Sequence, residues 1–478
     1  LQDVPFDPAV ATRFVRYYNQ TLQFQSTLAL LKDPPEGYQQ PPVDVIAELG
    51  LIQNKISSGE YKNQYVFEAD LQLLINRVHD AHVYLSAGVL APFAFVSPFG
   101  LVSASRDGKA PPEIYFQGEV VLGQLQGWEP SPITHINGIN ATDYLTAFAE
   151  LNSEGYLEPH ADWNALFEHP ARDIQGTLST LQSAIFYPGD GLNFTQANGS
   201  EIDTYWLATY SEAQHTGPLT TAGDFYNYFV LGIIPDSWDE QNPIKWWPDE
   251  VIDPNDNSTD TPEETPPDYG CTSGNPGPAS WCEESFGAYP NDPEYAQIDL
   301  ELVKGGVVTG YILEDISTGV LSIPSFYQTG DDVSNFFLAV DNFIGNATNK
   351  NISRVVIDLQ QNSGGLKLLA LSTFKRFFYG QDPWTGSRIR AHDQANTLGS
   401  AFSSWWDGLE TGEDGALNPL YQYYAANEWV VTNRINPATG SNYSSWAEYY
   451  GPVSSHGGSF TNQVSLRVHQ IASFNGNV

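Results

Sequence analysis

The sequence predicts an α/β protein, and three observations carry that prediction. Residues 354–378 run as an apolar, β-branched stretch from Val355 to Leu359, a break at Asn362-Ser363-Gly364-Gly365, and an apolar pattern of helical period. Residues 309–346 place two short apolar strands and an amphipathic helix just ahead of it. Together these make the right-handed βαβ repeat of a parallel sheet covered by helices. Residues 7–78 carry three runs with apolar residues three and four apart, which predicts a helical region before any strand. A chain of 478 residues is long enough for roughly two to four domains with at least one substantial core.

Each element follows from its own pattern. Phe14, Val15, Tyr18, Leu22 and Leu28 predict one helix over 7–31, ended by Pro34-Pro35. A second helix spans 43–56 and a third 65–78, the latter leading into His79-Asp80-Ala81-His82. Val83-Tyr84-Leu85 then alternates like a strand. Short strands are expected at 93–96 and 101–104, with a turn at Asp107-Gly108. Strand, turn, strand over 119–140 and a helix over 142–151 suit a small β-rich module, and 205–210 alternates as a single strand. Residues 247–292 are rich in Pro, Gly, Ser, Thr and acids. They lack the apolar surface to offset their ordering entropy and are expected to form an exposed loop. Strands at 310–313 and 320–323 and a helix at 331–346 lead to the buried strand at 355–359. The domains expected are 1–115, helical with strands and carrying the histidine; 116–246, the β-rich module; 247–292, the acidic loop; and 293–478, the α/β core.

Composition excludes several function classes. A formal charge of −37 repels phosphate backbones and anionic lipid, so neither nucleic acid nor a membrane surface is an expected partner. No apolar run approaches the roughly 18–20 residues of a membrane helix. Cys271 and Cys282 lie close together in the acidic loop and are expected to pair, since no neighbouring ligands suit zinc. Asn-x-Ser/Thr sequons occur at Asn19, Asn140, Asn193, Asn198, Asn257, Asn346, Asn351 and Asn442. That many sequons, with a disulfide, predict a secreted, extracellular glycoprotein in a processed, mature form.

Two stretches carry candidate chemistry. The glycines of the 362–365 turn precede a helix N-terminus, where backbone N–H groups point at negative charge and can stabilise an oxyanion during acyl transfer. The alternative is a turn that needs glycine for sterics alone. A histidine at a helix end beside an aspartate can act as general base, because imidazole titrates near neutrality. The alternative is a capping or core histidine. A metal reading of the two imidazoles lacks a third ligand and the His-Glu-x-x-His pattern, so no metal and no cofactor is expected.

In order along the chain, His79 to Leu85, Ser105-Arg106-Asp107-Gly108 with Ile114-Tyr115, Ser131 to Gly138, Leu321 to Phe326, and Val356 to Leu359 with Asn362 to Gly365 carry a resemblance. The set resembles the tail-specific (S41) serine peptidases, and within them the secreted fungal branch related to the chlamydial protease CPAF. The resemblance implies a ClpP/crotonase-like catalytic core, a PDZ-like module inserted after the histidine, and peptide-bond hydrolysis through a serine acyl-enzyme. By position it implies His82 as general base and Gly364, with Gly365, lining the oxyanion hole.

One departure accompanies it. The family's nucleophilic serine and triad carboxylate follow the region that 449–453 and 460–462 resemble, and no Gly-x-Ser-x-Gly elbow is present. Ser363 lies in the oxyanion turn, Ser459 in a loop-like stretch, and Lys367 on the following helix as a solvated residue; none is assigned. The expectation is an amino-terminal portion of a two-part peptidase, inert alone, completed by a carboxy-terminal fragment of the same precursor. Protein or peptide is the expected substrate, and homodimerisation stays open. Two other classes remain: an inactive relative that binds extended peptides by strand addition, and a glycoside hydrolase using paired carboxylates, for which no spacing singles out a pair.

Overall fold

The computed structural model describes residues 1–85, 88–210, 219, 221–233, 271, 281–291, 293–297, 308–328, 332–381, 386–387, 390, 392–395, 397–398, 401, 434–435, 442–443 and 447–448. The amino-terminal region is helical: α1 (Pro8–Leu22), α2 (Leu28–Lys32), α3 (Val45–Ser58) and α4 (Gln64–Asn76). Asp7 caps α1 by accepting from the Ala9 and Val10 amides, Asp44 and Asn63 cap α3 and α4, and Gly59 ends α3 in the left-handed region. Leu49, Ile52, Phe67, Leu71 and Ile75 form the shared core.

Two expectations change here. The single helix over 7–31 is broken at 23–27, because the Gln23 and Gln25 side chains and the Gln23 carbonyl serve tertiary hydrogen bonds instead. Residues 83–85 are not a strand. Val83 and Leu85 pack on the helical core, and the carbonyl of exposed Tyr84 accepts from the Tyr18 hydroxyl at 2.7 Å, so the alternation serves a helix layer.

A 3₁₀ turn (Gly88–Leu90) leads to the β-rich module. Its elements are β1 (Phe93–Val96), β2 (Leu101–Ala104), β3 (Glu113–Phe116), α5 (Gln117–Gln126), β4 (Ile133–Ile136), β5 (Ile139–Asn140), α6 (Ala141–Asn152), α7 (Pro159–Asn164), α8 (Pro170–Asp173), β6 (Gly191–Gln196), β7 (Glu201–Tyr205), β8 (Leu207–Tyr210) and α9 (Ala222–Phe229). β5-β4-β6-β7 form an antiparallel sheet, while β1 pairs with β8 and β2 with β3. The strand expected from 119 is helix α5. Gly127, at φ +74°, closes it by donating to the Gly123 carbonyl, and a local cap prevails over the strand preference of Val120-Val121. The single strand over 205–210 is two strands in two sheets. Trp206 marks the corner, buried and stacked on Phe148 at 5.5 Å.

Most of 247–280 lies outside the described residues. The described end is packed: α10 (Trp281–Glu284) carries Cys282, which is bonded to Cys271, and Trp281 and Tyr289 cluster with Ile174 and Tyr311. The exposed-loop expectation fails there, because the aromatic residues supply the burial its composition otherwise lacks.

The carboxy-terminal sheet has the order β12-β11-β10-β9, from β9 (Tyr295–Ala296), β10 (Thr309–Leu313), β11 (Thr318–Ser322) and β12 (Arg354–Asp358). β10 and β11 form an antiparallel hairpin. α11 (Asp332–Asn349) then crosses over to put β12 parallel to β11, with Gly319 opposite Val355 and Ser322 opposite Asp358. Gly310 and Gly319 let the Phe343 ring of α11 settle on the sheet; a Cβ on Gly310 would meet that ring at 2.7 Å. The buried strand expected at 355–359 is an edge strand among the described residues. Val355 and Val356 stay 41% and 48% exposed. α12 (Lys367–Phe377) follows the glycine turn, and two-residue pairings join 386–387 to 447–448 and 434–435 to 442–443.

Candidate active site

The glycine turn is built by β12 and the chain after β11. The Ser363 amide donates to the Pro324 carbonyl, Asn362 Nδ2 to the Ile323 carbonyl at 2.6 Å, the Phe326 amide to the Gly364 carbonyl at 2.7 Å, and the Leu366 amide to the Phe326 carbonyl. Gly364 and Gly365 sit at φ +87° and +126°, where L residues are strained. A Cβ on Gly365 would fall 2.2 Å from the Phe326 carbonyl carbon, whereas Gly364 has nothing within 4 Å. The two glycines therefore differ in role. The Gly364 amide already donates to Asn362 Oδ1 at 2.8 Å. The parallel bridge to Phe326 uses the Gly364 carbonyl and the Leu366 amide, so the Gly365 N–H faces the other way, ahead of α12. Of the pair, Gly365 is the one whose amide these contacts leave out.

Side chains brace this turn from a distance in sequence. Ser363 Oγ lies 3.2 Å from buried Ser325 Oγ and donates to Gln175 Oε1 at 3.3 Å. His169 caps α8 with Nδ1 and bonds Gln360; burial, outweighing the Asp358 charge, depresses its pKa. The β-rich module thus abuts the turn through His169 and Gln175. Lys367 opens α12 and is exposed.

The histidine loop leaves α4 through His79, at φ +51°. Burial pushes the His79 pKa down, and its Nδ1 is buried without a hydrogen-bond partner. His82 is the opposite: its side chain is 96% exposed, with Nδ1 2.9 Å from Asp80 Oδ1. A carboxylate there calls for a proton on Nδ1, which leaves the Nε2 lone pair facing outward to accept one. Burial alone would raise the Asp80 carboxyl. Hydrogen bonds from the His82 amide, Gln25 and the His82 ring outweigh it and hold the carboxyl below its usual value. Asp80 and Gln25 are the hydrogen-bond partners of this loop that residue-by-residue reading left unassigned. The Asp-x-His spacing could have identified Asp80; nothing local identifies Gln25.

No hydrogen bond, ion pair or ring contact among the described residues joins His82 directly to the glycine turn. The histidine loop is tied instead to the segment after α12. Gln25 holds Asp80 at 3.0 Å, Arg390 Nη1 donates to the Gln23 carbonyl at 2.6 Å, and His392 meets Phe24 edge-on at 4.5 Å. The segment after α12 thus reaches the helix break that supports the histidine.

Among the described residues no group of three metal-binding side chains occurs. Nor is any helix there long and apolar enough to cross a membrane. Asn140 caps α6, Asn193 donates to Asp203, Asn346 pairs with Glu294, and Asn198 and Asn351 are exposed in turns. Asn19 accepts from Gln23 within α1. Asn257 and Ser459, like 449–453 and 460–462, lie outside the described residues, and only the backbone of Asn442 is described.

Comparison with known proteins fits this arrangement. A family model described as a CPAF-like PDZ domain matches residues 94–215, from β1 through β8. Two Diaporthe leptostromiformis proteins, Peptidase S41 family protein phomP1′ and phomP1, are each 26% identical over 431 residues, or 88% of this chain and 58% of theirs. These matches support assignment of the chain to the S41, CPAF-like peptidase family. Peptidase S41 family protein ustP of Aspergillus flavus is 25% identical over 154 residues, 32% of this chain and 30% of that protein. The chain spans 58% of the length of the S41 relatives that it matches most fully. In this chain the PDZ match overlaps the module expected at 116–246 and ends ahead of the sheet that carries the glycine turn.

Proposed function

We propose that this chain is part of a secreted S41-type serine endopeptidase, to which it contributes the general base His82 and the oxyanion donor Gly365. The observation that carries the reading is the His82–Asp80 pair, in a chain similar over most of its length to S41 peptidases. Asp80 fixes the ring, and Nε2 takes the proton of an attacking serine hydroxyl. The tetrahedral oxyanion then finds an amide that is aimed before the reaction and needs no rearrangement. His82 subsequently returns the proton to the leaving amine.

The serine comes from polypeptide outside the described residues, a carboxy-terminal fragment of the same precursor in this reading, consistent with the greater length of the relatives, while Asp80 already holds the Nδ1 position that a triad carboxylate takes. β9–β12 with α11 and α12 form part of a ClpP/crotonase-like core that continues over the exposed faces of β12. Extended protein or peptide chains are the substrate, and the PDZ-like module receives them by strand addition. The disulfide and the exposed Asn198 and Asn351 sequons support secretion and glycosylation.

The test is to incubate the full-length protein with an unstructured protein substrate and a serine-directed phosphonate. The reading expects turnover that the reagent abolishes, with one serine labelled. Turnover insensitive to the reagent would contradict the mechanism. Peptide binding without any turnover would favour a peptide-binding relative, a second reading that the PDZ match supports.

A further inference from the structure

The break between α1 and α2 has a defined structure of its own. Leu22 and Leu28, both buried, pin it at its two ends, and the Phe24 and Gln25 amides donate to the Thr21 and Leu22 carbonyls at 3.0 Å each. Arg390 clamps it from beyond α12, with Nη1 donating to the Gln23 carbonyl at 2.6 Å and to Gln23 Oε1 at 3.1 Å. Within this frame both N–H groups of the Gln25 side chain are spent. One reaches Thr27 Oγ1 at 2.8 Å, inside the break, and the other reaches Asp80 Oδ2 at 3.0 Å, across 55 residues of chain. The Thr27 bond serves the break itself; the Asp80 bond serves the histidine loop.

His82 has little else to orient it. Its side chain is 96% exposed, so no packing fixes the ring. Among the described residues its imidazole has one hydrogen-bond partner, Asp80 Oδ1 at 2.9 Å from Nδ1, and the same oxygen accepts from the His82 amide at 3.0 Å. Both His82 bonds thus fall on one oxygen of the carboxylate. Gln25 holds the other oxygen and so sets the plane of the group about its Cβ–Cγ bond, a torsion that is otherwise broad. Burial would raise the Asp80 carboxyl, and the bonds from the His82 amide, Gln25 and the His82 ring outweigh it and keep the group charged. A neutral imidazole against that charge carries its proton on Nδ1.

We propose that Gln25 is a positioning residue for His82: through Asp80 it holds the imidazole as the Nδ1–H tautomer, with Nε2 directed at the serine hydroxyl. The proposal rests on the reading of His82 as general base. Gln25 itself touches neither substrate nor the reacting atoms.

The test joins a spectrum to kinetics. Imidazole nitrogen NMR shifts of the full chain, recorded in mildly alkaline solution and assigned by the signals missing from His82→Ala, report the tautomer directly. The unsubstituted chain should show mainly Nδ1–H at His82. Gln25→Ala should move it toward the mixture of a free histidine, whereas Thr27→Ala, which removes only the local bond, should not. In the full-length enzyme Gln25→Ala should lower kcat about tenfold with KM within about twofold, because a misdirected base slows the chemical step and leaves binding alone. If Gln25→Ala does not fold, Gln25→Glu, of similar shape but with no N–H to offer, takes its place. A tautomer unchanged by the loss of Gln25, or changed equally by Thr27→Ala, would overturn the proposal. A shifted tautomer with kcat unchanged would overturn it from the other side, by showing that Gln25 orients the ring but that His82 is not the base.

Discussion

At the residue scale, Gly364 and Gly365 are neighbours of equal appearance with unequal demands. Gly364→Ala adds a methyl group to open space and costs only left-handed strain, about 1 kcal/mol. Gly365→Ala drives its methyl into the Phe326 backbone and must open the bridge, at about 3 kcal/mol or more. Urea midpoints of the two variants check the difference, and similar midpoints would contradict the close approach. Two carboxyls set a second expectation. Burial, only partly offset by Gln64 and the Val89 and Leu90 amides, lifts Glu68 to about 7; burial and then the neighbouring Glu168 charge lift Asp173 to about 7. Each keeps its proton in the folded state after the unfolded chain has released it, so their contribution is complete below about pH 4 and is lost as pH rises to 7. For Glu68 the loss is on the order of 3 kcal/mol. Asp44, Asp80 and Asp107, held below their usual values, act with the opposite sign below about pH 4. His79 and His169, depressed by burial, act with the opposite sign in the same range, so the carboxyl effect is read by difference: Asp173→Asn should gain melting temperature relative to the unsubstituted protein as pH rises from 5 to 8, and an unchanged difference would contradict it. What was legible at this scale was the turn at the two glycines and the Asp-His loop after α4, as local structure. Their partners Asn362, Phe326 and Gln25 were not, because each contact depends on how distant elements pack.

At the element scale, the segments with strong internal signals agree with their patterns. The helices over 45–58 and 64–76 carry caps and apolar stripes in their own sequence, and the strands at 93–96 and 101–104 fall where alternation put them. Two of the misses share one cause. Alternation over 83–85 and 205–210 reports which side is buried, not what buries it, and in the first case that is a helix layer. In the second, Trp206 turns the chain from one sheet to another. Trp206→Ala should therefore loosen two sheets at once, costing about 3 kcal/mol or more by loss of a buried stacked indole. Denaturant unfolding checks the size of the effect, and a change under about 1 kcal/mol would show that the corner does not depend on it.

At the scale of the whole molecule, the order of motifs along the chain carried more information than any one of them. An Asp-x-His loop, a β-rich module and a strand-turn-helix with two glycines follow one another in the order that the sequence resemblance implies, and the βαβ crossover from β11 through α11 to β12 is present as the pattern required. The edge position of β12 was illegible, because Val355 to Leu359 has the composition of a buried strand whether or not neighbours cover it. Convergence of the histidine loop and the glycine turn on one reaction is the central claim. His82 is suited to test it, since its exposed ring supports no packing and its removal should leave the melting temperature unchanged. The measurement is kcat for cleavage of an unstructured protein by the full-length enzyme carrying His82→Ala. The account predicts a loss of about a thousandfold or more with an unaltered fold, and turnover within a fewfold of the unsubstituted enzyme would contradict it.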